Sequence, residues 1–163
     1  MVPSSVTVIT VKNSDKARAV VAARELVALG FNVVATKGTA AAIAAAGVPV
    51  KPVNKVKDGR PHISDAIKAG EIQLVFTTVD ETRTAIADSR SIRTAALANR
   101  VTYYTTMAGC EAAVEALKGG SAALRGAWFP KIASGDTVVA LALDEGRKHR
   151  PEAIAMKAER AGN

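Results

Sequence analysis

The residues whose types and spacing could do chemistry fall at the ends of apolar runs, and the chemistry they suit is anion binding. Thr36-Lys37-Gly38-Thr39 follows one such run and opens an Ala-rich segment. A helix beginning there would offer unpaired N–H groups and the positive end of its dipole, with hydroxyls and a glycine backbone close by. The spacing is not that of a Walker A loop. A second polar junction, Val53 to Ile63, carries Lys55, the Asp58-Gly59 turn signal and Arg60. Lys55 is a mobile point charge, and Arg60 can fork two phosphate oxygens. Thr10 and Lys16 flank the end of the first apolar run, Thr77 and Thr78 end the fourth, and Tyr104-Thr105-Thr106 repeats the device after the fifth. Each signal also has a plain reading as an N-cap or a solvated loop. Their recurrence at equivalent junctions argues for one phosphate pocket.

Groups for bond-making chemistry are missing from the pattern. No nucleophile elbow or dinucleotide fingerprint occurs. Asp15 and Asp58 have cap or turn explanations, which leaves Asp80 as an acid without one. His62, His149 and Cys110 are too few and too scattered for a metal-ligand cluster, and no catalytic or metal-binding residue is assigned.

Positioning these loops requires alternating elements. Ser5 to Val11, Phe31 to Ala35, Pro49 to Val53, Glu71 to Thr78 and Val101 to Thr105 read as strands, from their β-branched and apolar runs. Between them, Lys16 to Leu29, Thr39 to Ala46, Ile63 to Ala69, Glu81 to Asn99 and Met107 to Leu117 read as helices. Ala19, Val20, Ala23, Leu26 and Val27 are the expected core of the first helix; Ile86, Ile92, Ala95, Ala96 and Leu97 that of the fourth. Strict alternation predicts an α/β domain over residues 1–120: a three-layer α/β/α sandwich around a parallel five-stranded sheet. All the polar loops then meet at the carboxyl edge, where such sheets bind ligands.

The chain has 163 residues and a formal net charge of +7, with 48 % hydrophobic and 4 % aromatic residues. The basic balance favours anionic partners. The cations are dispersed among acids without aromatic interleaving, so nucleic acid is not expected as a partner. No apolar run approaches a membrane span, and no secretory leader is evident. A single cysteine fits a reducing, cytoplasmic setting, with Cys110 expected to be a small helix residue.

Residues about 5 to 118 resemble the C-terminal regulatory domain of the carbamoyl phosphate synthetase large subunit. The resemblance is carried by Ser14-Asp15-Lys16, Ala35-Thr36-Lys37-Gly38-Thr39-Ala40, Val53-Asn54-Lys55-Val56, Gly59-Arg60-Pro61-His62-Ile63, Asp88-Ser89-Arg90-Ser91-Ile92-Arg93 and Tyr104-Thr105-Thr106. It implies a methylglyoxal synthase-like fold and an allosteric site for UMP or IMP, without a cofactor and with phosphate or sulfate as surrogate ligands. It places phosphate and ribose contacts at Thr10, Lys16, Thr36, Thr39 and Lys55. The expected partners are the rest of that large subunit and its glutaminase subunit, in a glutamine-dependent ligase serving pyrimidine and arginine biosynthesis. Thr77 stands where the family often has Asn, and Val79 replaces a hydroxyl. Tyr104 takes the place of an acid that senses ornithine in some members. A chimeric structural module without ligand function is one alternative, and methylglyoxal synthase itself is the enzymatic one. Its catalytic aspartate corresponds to Arg60, a further aspartate to Asn13, and its histidine has no counterpart, so a lyase activity is not expected.

The remainder, 121–163, is read as a foreign or atypical tail. Gly119-Gly120-Ser121 reads as a linker. Trp128 onward resembles a fragment from the middle of acyl-CoA dehydrogenases, too short for a flavin site. Thr137 to Leu143 reads as a strand that could complete the sheet or exchange between copies to give a homo-oligomer.

Overall fold

A computed structural model describes residues 5–80 and 82–119, together with Ala123, Gly126, Ala127 and Lys131. The expectations for Gly120, Ser121, Trp128 to Pro130, the strand Thr137 to Leu143 and the rest of the tail lie outside the described residues.

Five strands form one sheet: β1 (Val6–Thr10), β2 (Asn32–Thr36), β3 (Lys51–Val53), β4 (Leu74–Thr77) and β5 (Thr102–Tyr104). They alternate with α1 (Lys16–Ala28), α2 (Lys37–Ala45), α3 (Ile63–Lys68), α4 (Arg83–Ala98) and α5 (Met107–Gly119). The order is β3-β2-β1-β4-β5, and every pairing is parallel. Alternate residues of the strands feed two separate cores. Ile9, Val33, Ala35, Leu74 and Phe76 pack with Ala19, Ala23 and Leu26 of α1, Ile43 of α2 and Val114 of α5. On the opposite face Val8 and Val75 pack with Ile63 and Ile67 of α3 and Ile92, Ala95 and Ala96 of α4. A strand buried on both faces needs no polar alternation, which is why Leu74-Val75-Phe76 of β4 reads as a continuous apolar run, while β1 alternates with Thr7, which is itself fully buried.

The helix boundaries carry the informative differences. The second helix starts at Lys37, two residues before the expected Thr39, with Thr36 as its N-cap. Gly38 and Thr39 therefore sit in its first turn. Thr82 caps α4 by accepting a hydrogen bond from the Ala85 amide at 3.3 Å, so this helix opens at Arg83. Gly119 belongs to α5 rather than to a linker. Ile86 and Leu97, expected in the core of α4, are 46 % and 70 % exposed. Helical spacing identified an apolar periodicity there, but the sheet needs only the Ile92–Ala95–Ala96 face of that helix.

Candidate ligand site at the carboxyl edge

In this sheet β2 and β3 lie on one side of β1, while β4 and β5 lie on the other, so the strand order reverses between β1 and β4. Such a switch point leaves a crevice beyond the strand ends. A cleft of about 190 Å³ occupies it, bounded by Thr10, Lys12 and Asn13 at and beyond the end of β1, and by Thr77, Thr78 and Asp80 at and beyond the end of β4. Lys55, Asp88 and Ser89 close its sides. Main-chain bonds fix the two walls together. The Thr78 amide donates to the Thr10 carbonyl at 3.0 Å, and the Lys12 amide donates to Thr78 Oγ1 at 3.2 Å.

Next to the cleft, and sharing Thr10 with it, three buried hydroxyls meet below the N-terminus of α2. Thr36 Oγ1 lies 3.3 Å from Thr10 Oγ1 and 3.5 Å from Thr39 Oγ1. The Val11 amide donates to Thr39 Oγ1 at 3.5 Å. Thr10, Thr36 and Thr39 are 7 %, 2 % and 1 % exposed. Each hydroxyl carries one proton, and the two oxygen–oxygen contacts use at most two of the three. One O–H proton is thus left to donate elsewhere. Thr36 does not spend its hydroxyl on capping α2, so the amides of that helix's first turn also keep their donor capacity.

Lys16 completes the cradle. A Cβ placed on Gly38 would stand 3.2 Å from Lys16 Nζ, so the ammonium lies against the first turn of α2. Lys16 is also the first residue of α1, and it forms no ion pair among the described residues. A cation at the positive ends of two helices is electrostatically unfavourable unless an anion shares the space.

The residues expected from sequence thus divide. Thr36, Gly38, Thr39 and Lys16 form the cradle; Lys55, Thr77 and Thr78 line the cleft; Thr10 belongs to both. Lys37 is exposed at the start of α2 and is not part of the cleft wall. Arg60 is not brought to the cleft either. Its side chain is 77 % exposed, and Nη2 lies 3.7 Å from Asp65 Oδ1. Asp65 itself holds the start of α3, accepting from the His62 amide at 3.2 Å. Arg60 is therefore drawn toward the α3 N-terminus and away from the pocket.

Lys12, Asp88 and Ser89 are cleft residues that sequence reasoning did not single out as ligands. For Lys12 the signal was its place at the end of β1. Asp88 and Ser89 sit mid-helix, and only the fold brings α4 over the switch point. Cys110 is fully buried on α5, and burial pushes its thiol up to about 12. A thiol in that state is not a nucleophile near neutral pH. Among the described residues no group of three or more His, Cys, Asp or Glu could hold a metal ion, and no helix is long and apolar enough to cross a membrane.

A doubly wound parallel sheet with buried hydroxyls and a cleft at its switch point defines an α/β domain. Residues 18–105 match the model of the MGS-like domain family, and the chain belongs to that family. It is 75 % identical over 109 residues to the carbamoyl phosphate synthase large chain of Ralstonia nicotianae, a match covering 67 % of this chain and 10 % of that protein. The large chain of Pseudomonas aeruginosa is 54 % identical over 112 residues, covering 69 % of this chain and again 10 % of the relative. The chain therefore spans about a tenth of the length of the curated relatives it matches. Among solved structures, methylglyoxal synthase from Elizabethkingia anophelis superposes with a TM-score of 0.56 at 18 % identity, covering 68 % of this chain and 77 % of that one. That likeness shows the fold.

Proposed function

We propose that this chain is a regulatory, nucleotide-sensing domain of the kind carried by carbamoyl phosphate synthase large chains, without catalysis of its own. The observation that carries the reading is the Lys16 ammonium, without an ion pair among the described residues, lying against the first turn of α2 above a set of buried hydroxyls with a proton to spare. A phosphate there accepts from the Thr hydroxyls and the helix amides and neutralises Lys16. The adjoining cleft then receives the rest of a nucleoside monophosphate, UMP or IMP. Its Lys12, Lys55, Asp80, Asp88 and Ser89 offer both donors and acceptors for ribose and base edges. Among the described residues no aromatic side chain lines this cleft, and its polar groups are suited to recognising a base by hydrogen bonds.

Proton-transfer chemistry fits the site less well. The position facing α3 holds Arg60, engaged near Asp65, and among the described residues the cleft lining contains no histidine. The test is calorimetric titration with UMP, IMP and inorganic phosphate, run beside an assay for methylglyoxal formation from dihydroxyacetone phosphate. Saturable nucleotide binding competed by phosphate, with no turnover, is the expected result. Turnover, or the absence of any phosphate-dependent binding, overturns the reading.

A further inference from the structure

A helix lying on a sheet buries one face, and four of the five described helices do so from their start. The first buried side chain is Ala19 in α1, Thr39 in α2, Ile63 in α3 and Met107 in α5, each within the first four residues of its helix. In α4 it is Ser89, the seventh residue, and Ile92, Ala95 and Ala96 follow. Ahead of Ser89, Arg83, Thr84, Ile86 and Ala87 are exposed, while Ala85 and Asp88 are half-buried. Burial therefore fixes the second half of α4, with the Ser64–Ser91 hydroxyl contact to α3 at 3.3 Å beside it. The first half has its own helical bonds and the Thr82 cap.

Beneath that first half lies the cleft. Ala85, Asp88, Ser89 and Ile92 line it, and positions i, i+3, i+4 and i+7 share one helical face. Ile92, Ala95 and Ala96 continue the same face into the core against the sheet. Core side chains fill the space under the other helices, whereas here the space is open. The polar groups around it are unspent. Thr77 and Ser89 are 2 % and 5 % exposed, and neither hydroxyl makes a hydrogen bond among the described residues. The Asp88 carboxylate accepts none either. A helical segment of two turns without packing beneath it is marginal in water.

We propose that Arg83 to Asp88 is a lid whose closure depends on the ligand. The closed form is the one the structure shows. In the free domain the segment opens locally, while the half anchored by Ile92, Ala95 and Ala96 stays in place. A ligand in the cleft gives Ala85 a surface to pack on and gives Asp88 and Ser89 hydrogen-bond partners. It therefore binds the closed form in preference and shifts the population toward it. The inference rests on the reading of the cleft as a nucleotide site, and it names the element whose order follows occupancy. Apparent affinity then depends on the helicity of a segment whose outer residues lie outside the cleft lining.

Hydrogen exchange on the full chain without ligand is the first test. The Ile86 amide donates to the Thr82 carbonyl and the Cys110 amide to the Thr106 carbonyl, both at 3.0 Å, so α4 and α5 start alike. The amides of 86–89 should exchange roughly tenfold or more faster than those of 110–113, after correction for intrinsic rates. Equal protection of the two sets overturns the lid, whatever the cleft binds. Saturating UMP should slow 86–89 by about tenfold or more and leave 110–113 unchanged. A bound nucleotide that leaves 86–89 as fast as before also overturns it. Two substitutions at exposed positions outside the cleft lining give an independent measurement. Ala87→Gly lowers helix propensity and Thr84→Ala raises it. Ala87→Gly should raise the Kd for UMP by about threefold to fivefold and Thr84→Ala should lower it, while the melting temperature of the free chain hardly moves. A lower melting temperature with unchanged affinity shows the segment to be part of the stable folded unit, and the proposal fails. Absence of UMP binding refutes the proposed function, and the ligand-free exchange still decides whether the first half of α4 opens.

Discussion

Thr36 Oγ1 lies 3.3 Å from Thr10 Oγ1, joining the ends of β2 and β1 through a buried hydroxyl pair 26 residues apart in sequence. The pair sits where both strand ends meet the first turn of α2, so it couples the cradle to the wall of the cleft. Thr36→Val keeps the shape and removes the donor. Loss of a hydrogen bond to a charged ligand costs on the order of 1.5–3 kcal/mol, roughly a ten- to hundredfold rise in the Kd for phosphate or UMP. Calorimetry checks this, with circular dichroism confirming an unchanged fold.

Lys55→Ala tests the cleft itself. Lys55 is half-buried and lines the crevice with Lys12. Removing one charged hydrogen bond should weaken UMP or IMP binding by on the order of 1–3 kcal/mol, with little change in melting temperature. Unchanged affinity would remove Lys55 from the ligand's surroundings. Arg60→Ala, by contrast, should leave binding within about 0.5 kcal/mol, as expected for a surface change away from the site.

How much of this was legible in the sequence depends on what each residue answers to. The five-fold alternation of strand and helix was readable because the strands are rich in β-branched and apolar residues that the sheet buries, with helical spacing between them. The Thr36–Thr39 loop was readable because strand, turn and helix are contiguous there. Arg60 stands out because its type suits a phosphate; in the structure it lies near Asp65, five residues on, at the start of α3 and outside the cleft lining. Ile86 and Leu97 misled because periodicity reports an amphipathic stripe without saying what covers it. Asp88 and Ser89 were invisible as cleft residues, since only the β1–β4 adjacency carries α4 over the crevice.

Gly38→Ala separates stability from binding. An alanine in place of glycine in a helix favours folding by up to about 1 kcal/mol. The added methyl would meet Lys16 Nζ at 3.2 Å, and the flexible end of the lysine must shift away. The variant should melt at a higher temperature yet bind phosphate more weakly. A parallel rise in both would show that Lys16 does not act over that turn.

Arg100 holds a left-handed backbone, with φ of 56°, at the end of α4. The Arg100 amide donates to the Leu97 carbonyl at 3.2 Å and the Val101 amide to Ala96 at 2.8 Å, closing the helix. Gly30 makes the corresponding turn after α1 with φ of 90°, and glycine carries no Cβ penalty there. Arg100→Gly should therefore raise unfolding free energy by about 1 kcal/mol. A denaturant midpoint that falls instead would mean the arginine side chain contributes more than its backbone strain costs.

Alkaline stability should report on Cys110. Its thiol titrates near 9 when unfolded and is pushed up to about 12 by burial in the native domain. Between those values the folded state holds a proton that the unfolded chain has lost. Stability contributed by the protonated thiol is complete below about pH 9 and falls as pH rises toward 12. Cys110→Ala should flatten that decline by up to one proton's worth of slope, measured by urea unfolding across the range. An identical slope in the variant would show that the thiol titrates normally in the folded protein.

The last prediction concerns the residues beyond α5. The sheet has two outer strands, and they are defended unequally. β3 carries Lys51 and Pro52, a charge and a residue without an N–H, both of which discourage further pairing. β5 is Thr102-Tyr103-Tyr104 and, among the described residues, pairs only with β4. A right-handed crossover through α5 would bring a following strand alongside β5 in parallel. Thr137 to Leu143 is the β-branched, apolar run available for that place, from the same chain or from a second copy. Deleting 126–163 should then lower the unfolding midpoint or increase self-association, while phosphate affinity stays within twofold, on the order of 0.4 kcal/mol. Hydrogen exchange on the full chain gives the direct check, with the amides of 137–143 protected. If those amides exchange freely and the shortened chain is as stable and as soluble as the full one, the edge of β5 is left to another partner.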